Sequence, residues 1–189
     1  MKSSERPLRI VGFGGTQSAT SSSVTALRLV LDAAAGLGAE TELFELGRLE
    51  IPIYEWGVAP TLDVARLADA LHSADAIVWS SPLYHGSVSG AFKNAVDWLE
   101  ILRDRTPSYL TDKPIGLVGV AGGGQALHAI STMEAVARAL RAWTVPLVVP
   151  IQRASEVFDR EGRVVDARVE AQLRSLGAEL VKAARRFRD

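Results

Sequence analysis

Three segments of the sequence combine glycines with hydroxyl, amide and aromatic side chains, and each follows a short apolar run. They cover residues 12–23, 80–90 and 119–125. Backbone amides and hydroxyl donors at the start of a helix bind anions, most simply a phosphate group. Glycines and flat side chains allow a planar ligand to approach the backbone closely. The three segments together predict a site for a flat ring that carries a phosphorylated tail.

The first segment places six hydroxyl side chains within residues 16–23, more than a helix cap requires. Any one of the serines at 21, 22 and 23 is equally well explained as the cap. Gly12 and Gly14 match the first two glycines of the dinucleotide-binding G-x-G-x-x-G pattern, but Gln17 stands at the third position. The Gly-Lys-Ser/Thr element of a P-loop is also missing. The segment therefore predicts a phosphate site of another type.

The second segment begins with Pro82, which turns the chain away from the preceding strand. Tyr84 and His85 offer flat surfaces and hydrogen bonds, and Gly86 allows close backbone approach. His85 is explained equally well as an exposed loop histidine. We expect Ser87 or Ser89 to cap the next helix. That helix is expected to bury Phe92, Trp98 and Leu99 in the core and to carry Lys93 and Asp97 as a surface ion pair.

The third segment contains three consecutive glycines, Gly122, Gly123 and Gly124. A turn explains one glycine, whereas three suggest that something flat or charged lies against the backbone. Gln125 and His128 follow at the start of the next helix, where a structural role is the simpler explanation for His128.

The elements that must position these segments alternate between apolar runs and amphipathic stretches. Five such β–α units predict a flavodoxin-like, doubly wound, five-stranded parallel sheet with strand order 2-1-3-4-5 and helices on both faces. We expect a single domain over residues 1–189, with residues 1–7 as a flexible tail. The predicted strands lie at 8–13, 40–46, 75–80, 114–120 and 145–149, and the predicted helices at 23–37, 62–72, 89–102, 126–142 and 166–187.

Composition excludes several classes of function. The formal net charge of -1 argues against a nucleic-acid binder. The absence of cysteine excludes disulfides, thiolate catalysis and iron–sulfur centres. The three histidines show no metal-ligand spacing and no catalytic triad is apparent. No signal peptide or membrane-spanning run is visible, so a soluble cytoplasmic protein is expected.

Residues 81–98 resemble the S-P-x-Y-x-G-S-x-S-G-x-x-K-N-x-x-D-W signature of the NADPH-dependent FMN reductases of the flavodoxin-like superfamily. Residues 14–17 and 21–23 are similar to the phosphate loop of that family. Gln17 and Gly15 depart from its usual Arg and Ser, which removes a charge-assisted bond and a hydroxyl. By this resemblance the FMN phosphate would be bound by Gly15, Thr16, Gln17, Ser22 and Ser23, and the rest of FMN by Pro82, Leu83, Tyr84, His85, Gly86, Gly122, Gly123 and Gly124.

The resemblance implies hydride transfer from NADPH, or alternatively NADH, to FMN, with no catalytic side chain required. The reduced flavin would serve a partner monooxygenase or small acceptors. An alternative is a quinone, azo-dye or chromate reductase that retains its FMN, because residues 51–55 resemble the L-P-x-[YF]-[DE] loop of those relatives. A non-catalytic electron carrier is disfavoured by the near-neutral charge. The family also implies a homodimer or homotetramer, in which the loop 49–61 with Trp56 would contact the partner. For the NADPH 2′-phosphate, the candidate contacts are Arg48, Arg103 and Arg105.

Overall fold

The computed structural model describes residues 6–16 and 21–188. Five long strands alternate with helices, and a two-residue strand follows the third of them. No helix in these two ranges is long and apolar enough to span a bilayer. The strands are β1 (Arg9–Gly14), β2 (Glu40–Glu45), β3 (Ala76–Tyr84), β4 (Ser87–Val88), β5 (Pro114–Val120) and β6 (Trp143–Ile151), and the helices are α1 (Ser22–Ala35), α2 (Leu62–Ser73), α3 (Gly90–Asp97), α4 (Ala126–Ala139), α5 (Ala154–Val157) and α6 (Ala167–Arg188).

The sheet has the order β2-β1-β3-β5-β6, and all four of these pairings are parallel. The predicted order of the five parallel strands is therefore confirmed, and β5 has the predicted bounds. The prediction of only five strands was wrong, because β3 continues to Tyr84 and pairs with β4 in an antiparallel hairpin. Strand β1 lies between β2 and β3, so the order of the chain reverses at β1 and the carboxyl ends of β1 and β3 flank the switch point.

Two apolar cores cover the two faces of the sheet, as predicted. One face is covered by α2, α3 and α4, and its largest buried side chains are Phe13, Trp79 and Phe92, whose rings are in mutual contact. The other face is covered by α1 and α6, where Leu27, Leu176 and their neighbours are buried. A strand buried on both faces needs apolar side chains at successive positions, which explains the apolar runs at residues 10–14 of β1, 76–79 of β3 and 114–120 of β5.

Some elements differ from the prediction in their details. Helix α3 ends at Asp97 and continues as a 3-10 turn over Trp98–Leu102, with Trp98 and Leu99 buried as expected. A short helix, α5, and an unpredicted hairpin that joins Phe158 to Val164 follow β6. Of the predicted tail, residues 1–5 lie outside the described residues, while Arg6 forms an ion pair with Asp75 at 2.7 Å.

Candidate functional site

The end of β1 is fixed against β3 by backbone contacts that only glycine permits. Gly14 has φ 156°, and a Cβ atom there would lie 2.0 Å from the carbonyl oxygen of Ser80. Gly15 has φ 98°, and its amide donates a 3.1 Å hydrogen bond to the same oxygen. The chain can therefore leave β1 close to the switch point of the sheet, and α1 is the next helix along the chain.

Three hydroxyl groups of the first segment, those of Ser21, Ser22 and Ser23, lie at the start of α1. Ser21 is the cap, since its hydroxyl accepts a 3.4 Å hydrogen bond from the amide of Val24. Thr16 and Ser22 line a cavity of about 500 Å³ beside this helix terminus, together with Ser21. Ser23 is only 2 % exposed and is not among the residues that line this cavity. Gln17 lies outside the described residues.

The second segment is a tight hairpin rather than a loop. Tyr84 pairs with Ser87, and the two residues between them, His85 and Gly86, have φ 49° and 86°. Positive φ at both central positions is the pattern of a type I′ turn, whose twist matches that of a hairpin. Tyr84 is half exposed, and His85 and Gly86 are exposed at the tip of the hairpin. Pro82 is buried and Leu83 is half-buried at its base.

Two buried serines hold this hairpin to the helix that follows. Ser81 Oγ accepts a 3.0 Å hydrogen bond from the amide of Ser89. Ser89 Oγ in turn accepts from the amide of Phe92 at 3.1 Å and so caps α3. These serines of the signature are structural, because both hydroxyls are engaged with backbone groups and both residues are buried. They fix the position of the exposed tip relative to the sheet.

The third segment presents bare backbone to solvent. Gly122, Gly123 and Gly124 are exposed, and a Cβ atom at any of them would meet no atom within 4 Å. None of the three has a positive φ, so the turn itself does not require glycine. The loop is nevertheless held in place, since the carbonyl of Gly123 accepts a 3.0 Å hydrogen bond from the amide of Arg153. Gln125 and His128 are exposed at the start of α4.

Several charged residues line the cavity beside α1, and of these the sequence analysis considered only Arg48. This cavity is lined by the guanidinium groups of Arg28, Arg48 and Arg160 and by the carboxylates of Glu45, Asp159 and Glu161. Arg28 and Arg48 both form ion pairs with Glu45. Arg160 lies in the turn of the hairpin after α5. The signal for this turn was the Asp-Arg-Glu-Gly sequence of residues 159–162 between two apolar pairs.

The other two arginines considered for the 2′-phosphate contact already have partners. Arg103 lies over the ring of Trp56 at 5.7 Å and pairs with Glu100, and Arg105 pairs with Asp69 at 2.6 Å. Of the three arginines, Arg48 is the one that lines the cavity at the phosphate end.

The loop 51–60 is fastened to α3 by the second half of the signature. Asn94 Oδ1 accepts a 2.8 Å hydrogen bond from the amide of Tyr54, and Asn94 Nδ2 donates to the carbonyl of Pro52 at 2.9 Å. The indole Nε1 of Trp98 donates to the same carbonyl at 2.7 Å. Lys93 and Asp97 form the expected surface ion pair at 2.6 Å. This half of the signature therefore holds a loop in place, and none of its residues lines the cavity beside α1.

The residues at this edge of the sheet fit a flavin mononucleotide. The amides at the start of α1, the hydroxyls of Thr16 and Ser22, and nearby guanidinium groups suit a phosphate. The open surface over residues 122–124, which side chains would fill, suits a planar ring. The exposed tip of the hairpin and this glycine loop follow adjacent strands, β3 and β5, so both lie at the same edge.

Known proteins resemble this chain in sequence and in fold. It is 32 % identical over 127 residues to the NADPH-dependent FMN reductase ArsH of Acidithiobacillus ferrooxidans, a match that covers 67 % of this chain and 52 % of the relative. An NADPH azoreductase of a Bacillus species is 34 % identical over 57 % of this chain and 58 % of its own length. The chain thus spans little more than half the length of these two curated relatives.

A flavoenzyme NAD(P)H:(acceptor) oxidoreductase, FerB of Paracoccus denitrificans, has the same fold, with a TM-score of 0.77 at 23 % identity over 95 % of this chain and 98 % of its own. The family model described as NADPH-dependent FMN reductase matches residues 8–156, which include all three segments of the candidate site. The chain therefore belongs to the NADPH-dependent FMN reductase family.

Proposed function

We propose that this protein is an NAD(P)H-dependent FMN reductase. The observation that carries the proposal is that the phosphate-type loop after β1, the hairpin tip after β3 and the bare glycine loop after β5 follow three neighbouring strands. In open parallel sheets ligands bind at this edge, outside the carboxyl ends of the strands and at the switch point. Membership of the family supports the same cofactors, FMN and NADPH.

The protein's own residues would bind and orient the reactants. FMN, when bound, supplies an acceptor for the hydride of the nicotinamide. The amides at the start of α1 and the hydroxyls of Thr16 and Ser22 would hold the phosphate, together with Gly15, Gln17 and Ser23 as the family resemblance implies. Pro82, Leu83, Tyr84, His85 and Gly86 would form one wall for the ring, and Gly122, Gly123 and Gly124 would form the other.

By holding the nicotinamide and the flavin in contact, the protein would accelerate hydride transfer without a side-chain acid or base. The rigid attachments described above support this role. The hairpin is anchored by the Ser81–Ser89 hydrogen bond, and the glycine loop by the Gly123–Arg153 hydrogen bond.

A second candidate is an azo-dye or quinone reductase that keeps its FMN through the catalytic cycle. Two relatives are named as azoreductases, the NADPH azoreductase of Bacillus and the FMN-dependent NADPH-azoreductase of Staphylococcus aureus, the latter 28 % identical over 72 % of this chain and 72 % of its own length. The two functions differ in flavin retention. FMN that remains bound through dialysis supports the azoreductase-type cycle, and FMN that is lost supports flavin as a released substrate.

The apolar loop supports a homodimer or a homotetramer. Ile53, Trp56 and Leu62 are 84 %, 69 % and 90 % exposed, and they lie on or just after the loop 51–60 that α3 holds in place. Large exposed apolar groups on a rigid loop are typical of an interface with another subunit. We further propose one domain for the whole chain, a cytoplasmic location, and a flavin-dependent monooxygenase as a consumer of the reduced flavin.

The proposal is tested by titrating the purified protein with FMN and then measuring oxidation of NADPH and of NADH under anaerobic conditions. An enzyme of this class bleaches the flavin at a rate that depends on protein concentration. If neither nicotinamide reduces bound or added FMN, the reductase function is wrong and a non-catalytic flavin carrier remains.

A further inference from the structure

The cavity beside α1 is larger than one phosphate group requires. It has a volume of about 500 Å³, which lies in the range of about 300–1,000 Å³ that is typical of small-molecule sites. Its walls are the start of α1, the 3-10 turn Leu46–Arg48 after β2, and the turn at residues 159–162. The cavity is therefore large enough for a further group of nucleotide size.

The position of the cavity relates it to the tail of the flavin and not to its ring. Thr16, Ser21 and Ser22 line it, and these are residues of the phosphate end. No residue of the ranges 82–86 and 122–124 lines it. A group in this cavity would therefore be attached to the flavin through its phosphate, and it would not contact the residues expected to lie against the ring.

The cavity is lined by three guanidinium groups, those of Arg28, Arg48 and Arg160, and by three carboxylates, those of Glu45, Asp159 and Glu161. Glu45 is shared by two guanidinium groups, those of Arg28 and Arg48. The carboxylates of Asp159 and Glu161 are both engaged by Arg163, at 2.7 Å and 3.2 Å. Among the residues that the structure describes, Arg160 has no ion pair, so its guanidinium group is the one in the cavity lining that stays available to an anionic group.

The turn that carries Arg160 is rigid. The amide of Gly162 donates to the carbonyl of Asp159 at 3.0 Å, and the amide of Arg163 donates to Asp159 Oδ1 at 2.8 Å. The backbone of Arg160 is thus held in place while its side chain stays available. Two apolar side chains, Val24 and Phe158, line the cavity as well and offer contacts to an uncharged ring.

We infer that this cavity is a subsite for the adenylate half of FAD, so that the protein binds FAD as well as FMN. The inference rests on the proposed function, because it assumes that the flavin phosphate lies at the start of α1. The second phosphate of FAD is covalently joined to the first and would enter the cavity beside Arg160. The adenosine would occupy the remaining volume against Val24 and Phe158.

The test compares the dissociation constants of FMN and FAD, measured by quenching of flavin fluorescence, for the wild-type protein and the Arg160→Ala variant. We expect the wild-type protein to bind FAD at least as tightly as FMN. Loss of the charge-assisted contact to the second phosphate should weaken FAD binding about tenfold. The affinity for FMN should change by less than about twofold, because FMN lacks that phosphate.

The matched control is Arg138→Ala, which removes another exposed arginine without an ion pair in the described part of the chain, at the far end of α4. It should change neither affinity. Thermal melts of both variants check that the fold is intact, and since Arg160 is exposed in a surface turn we expect no loss of stability.

Four results would overturn the inference. In the wild type, it is FAD binding that is more than about tenfold weaker than FMN binding. In Arg160→Ala, they are an equal loss of affinity for both flavins, unchanged affinity for both flavins, or a raised KM for NADPH with unchanged FAD affinity. The last result would assign the cavity to the nicotinamide nucleotide. If the wild-type protein binds FMN but not FAD, only this inference fails; if it binds neither flavin, the proposed function fails as well.

Discussion

Replacing Gly123 with alanine should weaken flavin binding without destabilising the fold. The structure shows open space at this residue, since a Cβ atom there meets nothing within 4 Å, and its φ is not positive. Replacing such a glycine by alanine usually stabilises a protein by about 0.4–1 kcal/mol, because the unfolded chain loses conformational freedom. For a chain of this length that corresponds to a rise in Tm of about 1–4 °C.

The same methyl group should weaken FMN binding, because it would lie where the flavin ring approaches the backbone. Forcing an extra methyl group into a close-packed contact costs about 1–3 kcal/mol. That cost corresponds to an increase in the FMN dissociation constant of about 5- to 150-fold. Gly123→Ala is therefore expected to give a protein that is as stable as the wild type or more so, with a clear loss of flavin affinity.

The assay is a pair of measurements on one preparation, a thermal melt of the flavin-free protein and a fluorescence titration with FMN. Gly36→Ala is the matched control, since this glycine ends α1 at φ -59° and its added Cβ makes only ordinary contacts at 3.5 Å. The control should gain similar stability and keep its FMN affinity. An unchanged FMN affinity in Gly123→Ala, and equally in a variant with alanine at all of 122–124, would refute the argument that this loop contacts the ring.

Three further substitutions test the supports of the site and the stability of the fold. Asn94→Ala removes the hydrogen bonds that hold the loop 51–60, so limited proteolysis should cut this loop faster while the global Tm changes little. Ser81→Ala leaves the buried amide of Ser89 without its acceptor, and urea unfolding should show a loss of about 1–3 kcal/mol. Burial by itself would raise the pKa of Asp75, but hydrogen bonds from Arg6 and from the amide of Arg9 outweigh it and lower that pKa. The ionised carboxylate of Asp75 therefore stabilises the fold above the unfolded-state pKa of about 3.9, and this contribution is lost as the pH falls through the lower folded-state pKa. In Asp75→Asn the free energy of unfolding should therefore fall less steeply on the acid side than in the wild type.

The parallel sheet was predictable because its strands are buried on both faces. The run from Pro114 to Val120 is apolar or glycine throughout, which only a central strand of a parallel sheet readily accommodates, and its bounds were predicted correctly. The strand order followed from the number of β–α units and from the handedness of their connections. Both are general constraints that apply before any side chain is placed.

The hairpin after β3 was not predictable by the same reasoning. Pro82, Gly86 and the serines around them have the composition of a loop, and His85 is not a usual residue for the first central position of a type I′ turn. Pairing with Val88 makes residues 83–84 a strand, and that contact is tertiary information. Within the motif, Ser81, Ser89 and Asn94 bind backbone groups, whereas the tip at residues 84–86 is exposed.

The charged cavity depends on contacts between segments that are far apart in the sequence. Arg28, Glu45 and Arg160 come from α1, β2 and the hairpin after α5, and no local pattern connects them. The turn at residues 159–162 could be identified from its composition, but its position against α1 follows only from the packing of the chain after β6.

A crystal structure of the protein with FMN tests the central claim most directly. The account predicts the phosphate within hydrogen-bonding distance of the amides at the start of α1, with the ring lying between the hairpin tip at residues 84–86 and the glycines at 122–124. A flavin bound at any other place, or a ring that contacts neither of these two loops, would contradict it.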